Sequence, residues 1–204
     1  MINKTSYKFL VSLLFLFFGI NVKCQLLDAI AFDTVPTYNL QQALQQNPLN
    51  VYKLSLKKMK LTELPPEILQ FKHLQYLDLK KNKLKTFPKE IANFNYLQEL
   101  NISANKIEIV TKELGQLIHL KKFIANSNQI VSLPKEIKNL KKLTFIDIWG
   151  NNIGTLPYEI SALQDNLLEI DMRVIIMSKE ESKKIRALLP NTKIRFSKSC
   201  DCTF

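Results

Sequence analysis

Apolar and polar positions along the middle of the chain recur with a period of 23 residues. The unit reads L-x-x-L-x-L-x-x-N-x-L-x-x-L-P-x-E-I-x-x-L, as in the run from Leu74 to Phe94. Two polar residue types keep the same step: Asn82, Asn105, Asn128 and Asn151, and Glu67, Glu90, Glu113, Glu136 and Glu159. A fixed period of this length predicts a solenoid, in which stacked coils bury one shared core.

Each unit predicts one short strand followed by one short helical turn. In the second unit, Leu77 and Leu79 alternate with a polar residue, so we expect both leucines to face the core. Asn82 follows where the chain turns, and its amide is expected to bond backbone groups of the turn and of the neighbouring coil. Pro88 then opens the helical turn, where Glu90 suits the positive end of the helix dipole.

Segments on both sides of the repeats predict helical caps that cover the ends of the core. Before the repeats, apolar residues with helical spacing end ahead of Pro48. After them, Ser178 and Glu181 carry the signature of a capping box, and Ile194 with Phe196 indicates a last short strand. The predicted organisation is an N-terminal cap at 25–50, five full repeats and a partial sixth at 51–172, and a C-terminal cap at 173–204.

Residues 1–24 have the pattern of a signal peptide. Lys4 and Lys8 precede the apolar run 9–20, which is too short for a typical membrane span of about 20 residues but suits a secretory segment. Cleavage is predicted between Cys24 and Gln25, and the alternatives are an uncleaved anchor or a lipid on Cys24. We therefore predict an exported protein, secreted or held in the cell envelope, that meets a membrane only through this segment or such a lipid.

Charge and cysteine content narrow the class of protein. Loss of residues 1–24 removes three lysines from the net charge of +11 and leaves 26 basic and 18 acidic residues, or +8. This charge favours anionic surfaces without defining a partner. Cys200 and Cys202 are the two cysteines after the predicted cleavage site, which excludes a disulfide-rich scaffold. They are expected to fasten the cap, with a local or intermolecular disulfide as the alternatives.

The sequence lacks the patterns of an enzyme or a metal site. His73 and His119, the two histidines, lie two coils apart, which is about 9.6 Å by strand spacing and too far to share one metal ion. No nucleophile motif accompanies them, and no glycine-rich phosphate loop is present. Aromatic residues do not interleave with lysines as in single-stranded nucleic acid sites. We therefore predict no catalysis, no cofactor, no metal and no nucleic acid partner.

The repeat resembles that of leucine-rich repeat proteins, in the subgroup with L-P-x-E-I after the second leucine. The similarity covers about residues 51–172, and the segments before Val51 and from Leu188 to Cys202 resemble the caps of secreted bacterial members. The resemblance implies an α/β solenoid: a right-handed horseshoe with a parallel β-sheet on its concave side, short helical or 3-10 turns on its convex side, and helical caps. It also implies protein recognition and no shared catalytic chemistry.

On such a concave face, outward side chains of successive strands would form columns, since neighbouring strands lie about 4.8 Å apart. We name Ile124, Phe145 and Trp149 the apolar group, because they bring apolar side chains together at positions that should face solvent. Such a group is typical of a protein-binding site. The alternative is that the C-terminal cap folds over Trp149 and buries it.

Lysines form a second feature of the predicted face. We name Lys57, Lys58, Lys80 and Lys81 the basic corner of the first two coils. It either binds an acidic partner, a sulfated or anionic glycan or phosphate, or is simply a solvated surface.

The sequence predicts a module that binds a protein through its concave face, with the partner's identity and the oligomeric state left open. The predicted contacts are Tyr76, Ile124, Phe145 and Trp149, with Lys57, Lys80, Lys121 and Lys122 setting the orientation. The alternative is an envelope or matrix component whose basic corner binds an anionic glycan or lipid surface.

Overall fold

The computed structural model describes residues 26–197, in which seven parallel strands form one sheet. The strands follow each other in space in chain order: β1 (Lys53–Ser55), β2 (Tyr76–Asp78), β3 (Glu99–Asn101), β4 (Lys122–Ile124), β5 (Phe145–Asp147), β6 (Glu169–Met172) and β7 (Lys193–Phe196). The predicted α/β solenoid with a parallel sheet is confirmed. The predictions for residues 1–24 and for Cys200 and Cys202 lie outside the described residues.

One short 3-10 turn precedes β1, and five others connect the strands from β1 to β6. Their bounds are Pro48–Asn50, Pro66–Gln70, Lys89–Asn93, Lys112–Gln116, Lys135–Asn139 and Tyr158–Leu163. In each of these five 3-10 helices of the repeats, the glutamate that recurs every 23 residues lies in the first helical turn, as the dipole argument predicts. Four of these turns follow a proline directly, and Thr111 takes that place in the third coil. The fixed φ of proline favours this entry into the turn.

The apolar positions of the repeat form one continuous core. Its buried members run from Ala43 in the N-terminal cap to Leu189 in the C-terminal cap. Phe71, Phe94 and Phe123 are among its largest fully buried side chains. Burial of each such side chain stabilises the fold by about 1.5–3 kcal/mol. The stacked coils thus share one core, as the periodicity predicts.

The repeated asparagines connect neighbouring coils. The Oδ1 atom of Asn82 accepts a hydrogen bond from Leu61 N at 3.0 Å. Its Nδ2 atom donates to Leu56 O at 2.9 Å and to Leu79 O at 2.8 Å. The other repeat asparagines make the same set of bonds: Asn105, Asn128 and Asn151. The predicted role of these amides, which satisfy buried backbone groups, is confirmed.

The residue before each of these asparagines adopts a left-handed backbone. Lys81 has φ 58°, Ala104 and Ser127 have φ 54°, and Gly150 has φ 64°. Val174 has φ 54° at the equivalent place in the last coil. The tight turn requires this backbone conformation, which residues other than glycine rarely adopt. The periodicity of apolar residues did not predict it.

Three α-helices lie in the described residues of the caps: α1 (Ala29–Thr34), α2 (Leu40–Leu44) and α3 (Lys179–Leu188). Helix α2 stops before Pro48, and the last strand forms, both as predicted. Helix α1 was not predicted. No helix within residues 26–197 is long and apolar enough to span a bilayer.

The predicted capping box at the start of α3 forms only in part. Ser178 Oγ accepts a hydrogen bond from Glu181 N at 3.1 Å. The Glu181 carboxylate instead pairs with Lys184 Nζ at 2.8 Å, because a lysine one turn along the helix offers an opposite charge.

Candidate functional site

The outward side chains of the strands form the predicted columns. We use the term sheet face for these side chains together with the residues that directly flank each strand. Strand pairing places the first column in the order Lys53, Tyr76, Glu99, Lys122, Phe145, Glu169 and Lys193. The second column is Ser55, Asp78, Asn101, Ile124, Asp147, Asp171 and Arg195. The register therefore brings residues 23 or 24 positions apart side by side.

The apolar group lies on β4, on β5 and just after β5. Its three members, Ile124, Phe145 and Trp149, are each partly buried and partly exposed. They are not among the side chains packed against the core. The described part of the C-terminal cap leaves part of Trp149 accessible. Packing of the solenoid therefore does not account fully for apolar residues at these three places.

A carboxylate divides the apolar group. Asp147 lies on β5 between Phe145 and Trp149 and is paired with Ile124 of the neighbouring strand. Its Oδ2 atom accepts a hydrogen bond from Asn126 Nδ2. Its Oδ1 atom accepts a longer one from Trp149 N, at 3.4 Å. Asp147 was not among the contacts that the sequence predicted.

Burial raises the pKa of the Asp147 carboxyl above its ordinary value. The hydrogen bonds from Asn126 and Trp149 oppose this shift, and the charge of Asp171 adds to it. The charged form of Asp147 is thus only partly compensated by its neighbours. A partner that donates a hydrogen bond or brings a positive charge would complete its environment.

Ion pairs lie on β6, on β7 and just after β6, at the C-terminal end of the sheet face. The Arg173 guanidinium donates to Asp171 from Nε, at 3.0 Å to Oδ1 and 3.1 Å to Oδ2, and from Nη2 at 2.7 Å to Oδ2. The backbone N of Arg173 also donates to Oδ1 at 3.1 Å. Burial acts to raise the pKa of Asp171, but the hydrogen bonds and charge of Arg173 outweigh it and lower the pKa. Glu169 pairs with Lys193 at 3.3 Å and with Arg195 at 2.6 Å. These cations and anions neutralise each other beside the apolar group.

Tyr76 lies apart from the apolar group. It is partly buried on β2, and Glu99 and Lys122 separate it from Phe145 in the first column. Burial, with the charges of Asp78 and Glu99, raises the pKa of Tyr76 to about 12. Its phenol is therefore protonated at neutral pH and can donate a hydrogen bond.

The predicted orienting lysines differ in their availability. Lys57 and Lys121 are exposed, and Lys80 is partly buried. Lys122 Nζ lies 2.7 Å from Glu99 Oε1, so its charge is already paired within the sheet face. Three of the four lysines thus keep a charge that no described ion pair neutralises.

The basic corner is built on two neighbouring turns. Lys58 N donates a hydrogen bond to Lys80 O at 3.0 Å, which places the two coils in contact. Asp78 Oδ1 accepts a hydrogen bond from Lys80 N at 2.8 Å. Lys58 and Lys81 both have left-handed backbones. The structure thus brings together the four lysines that the sequence grouped, with one carboxylate beneath them.

Four aromatic rings, one from each of the segments that precede β1 to β4, pack in series and form a ladder. The ring centroids of Tyr52 and His73 are 6.3 Å apart, those of His73 and Tyr96 are 6.2 Å apart, and those of Tyr96 and His119 are 6.2 Å apart. His119 Nδ1 lies 3.0 Å from Lys142 Nζ. Burial, followed by the charges of Lys142 and Lys121, lowers the pKa of His119.

Both histidines of this ladder therefore behave as polar surface residues that pack against tyrosine rings. Within residues 26–197, no cluster of three or more histidine, cysteine, aspartate or glutamate side chains could hold a metal ion.

A pair of glutamines holds the N-terminal segment, a feature that the sequence analysis missed. Gln75 Oε1 accepts a hydrogen bond from Leu27 N at 3.0 Å. Gln98 Nε2 donates to Leu27 O at 3.2 Å and also to Gln75 Oε1. The repeat does show both glutamines one period apart, directly before β2 and β3. It carries no signal for the segment that covers them.

The chain matches two family models, one described as "Leucine rich repeat" over residues 50–107 and one as "Leucine Rich Repeat" over residues 142–163. No curated protein matches it in sequence. The matched residues and the stacked coils of the fold are similar to leucine-rich repeats.

Solved structures share this fold. A leucine-rich repeat protein of Leptospira interrogans is 40% identical, with a TM-score of 0.63, over 72% of this chain and 36% of its own. The internalin InlF of Listeria monocytogenes is 24% identical, with a TM-score of 0.63, over 74% of this chain and 42% of its own, and shows the fold alone. The plant peptide hormone receptor RGFR1, in complex with RGF2, is 27% identical, with a TM-score of 0.60, over 72% of this chain and 24% of its own. The chain thus spans less than half the length of each of these proteins.

Proposed function

We propose that this protein is an exported, non-enzymatic leucine-rich repeat module that binds a protein partner through its sheet face, the predicted concave face. The observation that supports this most directly is the partial exposure of Ile124, Phe145 and Trp149. Apolar side chains at solvent-facing positions of a rigid sheet suit burial against another protein. The resemblance to RGFR1, solved with RGF2, is consistent with a partner of this kind.

Trp149 is the proposed anchor of the interface. Its large ring can bury much apolar area while losing little conformational freedom, which is why tryptophan is common at binding hot spots. Phe145 and Ile124 would extend the buried surface across two strands. Asp147, at the centre of the apolar group, would bind a donor from the partner and so favour one orientation of the complex.

Charged and polar residues away from the apolar group would orient the partner. Lys57, Lys80 and Lys121 attract acidic groups over a distance of about a Debye length. Lys122 contributes less than its position in the sequence suggests, because Glu99 already pairs with it. The protonated phenol of Tyr76 supplies a hydrogen-bond donor at the far end of the face.

Export is proposed on the pattern of residues 1–24 alone. The positively charged start, the apolar run and the predicted cleavage after Cys24 support a route out of the cytoplasm. Fractionation of the source cells, with mass spectrometry of the protein's first residues, tests this proposal. A mature chain that begins at Gln25 in the medium or envelope is expected. An intact N-terminus in the cytoplasmic fraction would overturn it.

The test of binding is a pull-down from extracellular and envelope fractions, washed at low and at high salt. We expect a discrete protein that stays bound at 1 M salt, where the Debye length is about 3 Å. Trp149→Ala is expected to lose it. Tyr158→Ala is the matched control, because Tyr158 is an aromatic residue 75% exposed on a 3-10 turn away from the sheet, and it should retain the partner.

Two results would overturn the proposed interface. The first is equal capture by wild type and by Trp149→Ala. The second is recovery of polyanions alone, all released at high salt, which would instead favour an electrostatic surface component that acts through the basic corner.

A further inference from the structure

We propose that Gln75 and Gln98 form a binding site for the main chain of an extended peptide, and that the segment around Leu27 occupies this site in the chain itself. Gln75 Oε1 accepts from Leu27 N, and Gln98 Nε2 donates to Leu27 O. The two side chains therefore bind both backbone groups of one residue. These backbone groups are common to all residues except proline, so the site selects peptide main chain rather than a particular side chain.

Burial and a mutual hydrogen bond fix the positions of the two glutamine side chains. Gln75 is 0% exposed and Gln98 is 3% exposed. Gln98 Nε2 also donates to Gln75 Oε1, which fixes the amide orientation of the pair. The Gln98 amide nitrogen carries two protons, and it donates one to Gln75 Oε1 and the other to Leu27 O. A buried amide proton without an acceptor is unfavourable, so Gln98 favours an occupant that offers a carbonyl oxygen.

Among the described residues, helix α1 makes few buried contacts. None of the six residues of α1, which follows the bound segment, is buried. Ile30, an apolar residue of this helix, is 75% exposed. Lys53 Nζ lies 4.2 Å from the centre of the Phe32 ring, a cation–π contact between two partly buried residues. A segment with so few buried contacts opens at low free-energy cost.

The site is continuous with the sheet face. Gln75 and Gln98 directly precede Tyr76 and Glu99 of the first column. Lys121 holds the equivalent place in the next coil, and its N donates to Gln98 O at 2.7 Å. A peptide that replaced the Leu27 segment would therefore lie beside Tyr76 and Lys121. This placement rests on the proposed function: the partner's extended segment would compete with the chain's own.

A direct test uses the chain's own segment as the probe. A fluorescent peptide of residues 25–34, QLLDAIAFDT, is titrated into the full protein and into its Leu27→Pro variant, with fluorescence anisotropy as the readout. Proline lacks the N–H that Gln75 binds, so this variant should vacate the site. We expect saturable binding to Leu27→Pro. Binding to wild type should be at least about tenfold weaker, because its tethered segment competes at about millimolar effective concentration.

Substitution of the site provides the next comparison. Gln98→Glu, added to Leu27→Pro, replaces the donor with a carboxylate and should abolish peptide binding. Gln129→Glu, added to Leu27→Pro, is the matched control, because Gln129 is exposed on another coil, and it should bind as Leu27→Pro does. A peptide with a methyl group on the Leu27 nitrogen repeats the comparison without changing the protein, and it should not bind.

Absence of peptide binding to Leu27→Pro would overturn the proposed site and leave the contact as a fastening of the N-terminus. Equal binding of the normal and N-methylated peptides would overturn it as well. The pull-down with Trp149→Ala tests the proposed partner interface separately. Since the peptide titration needs no partner, failure of one experiment does not imply failure of the other.

Discussion

The carboxylate of Asp147 accepts a hydrogen bond from Asn126 Nδ2, on the neighbouring coil, in the middle of the apolar group. Burial raises the pKa of Asp147, and this bond only partly opposes the shift. The partly exposed apolar side chains of the sheet face therefore flank a carboxylate that the fold does not fully satisfy. Such an arrangement destabilises the isolated protein slightly and offers a partner a specific contact.

Asp147→Asn is expected to stabilise the protein at neutral pH. Because the folded-state pKa lies above the ordinary value of 3.8, the folded protein binds the proton more tightly than the unfolded chain does. The unfavourable contribution of Asp147 is absent below the unfolded pKa and grows as the pH rises through the folded pKa. Asparagine carries no charge and keeps an oxygen for Asn126, so its advantage should grow over the same range.

Urea denaturation of both proteins between about pH 3 and pH 7 measures this difference. Asp165→Asn, at an exposed position in the last repeat, controls for the change in net charge. A variant that is less stable than wild type at pH 7 would show that the bond between Asn126 and charged Asp147 is the stronger effect.

Asn105→Ala is expected to lower the free energy of unfolding by about 1–3 kcal/mol, because it leaves the buried Leu84 N without its acceptor. It also removes one of the two amide donors to Leu79 O and to Ile102 O, which keep their bonds from Asn82 and Asn128. The lost partners are Leu84 N at 3.1 Å, Leu79 O at 3.0 Å and Ile102 O at 2.9 Å. Asn152→Ala, at an exposed position, should change stability by less than about 0.5 kcal/mol. Chemical denaturation compares the two, and similar losses would contradict the proposed role of the buried amide.

Gly115→Ala is expected to destabilise the protein by about 1–3 kcal/mol through overpacking. A Cβ atom at Gly115 would lie 2.5 Å from Glu136 Cβ and 2.7 Å from Glu136 O, on the 3-10 turn of the next coil. Gly154→Ala is the matched control, since its Cβ would have no neighbour within 4 Å. Thermal unfolding should separate the variants clearly. Equal melting temperatures would mean that the coils can move apart without cost.

Val174→Asn is expected to stabilise the protein by about 1 kcal/mol, because asparagine adopts the left-handed backbone more readily than a β-branched residue does. Val174 has φ 54° and is 66% exposed, so the change removes little buried surface. Gly150→Val, at the equivalent place with φ 64°, should have the opposite effect. Denaturation curves for both variants measure the two changes. A loss of stability in Val174→Asn would show that its apolar contacts matter more than its backbone strain.

The 23-residue spacing alone was enough to predict the solenoid, the strands, the asparagine bonds and the order of the columns. Each coil repeats the environment of the one before it, so a residue's neighbour one coil away is known from the period. This repetition explains why Leu77 and Leu79 are buried and why the Asn82 amide bonds the backbone of the neighbouring coil. A weaker local signal failed at Glu181, where Lys184 competes for the carboxylate.

The sequence by itself determined the architecture of this protein and the residue types on its sheet face. The tertiary structure alone decided how those side chains pair: Asn126 with Asp147, Lys122 with Glu99, and Leu27 with the two glutamines. The last contact joins residues 48 and 71 positions apart and breaks the 23-residue period. Spacing predicts which positions are adjacent, but side-chain direction and the path of a non-repeating segment depend on the whole fold.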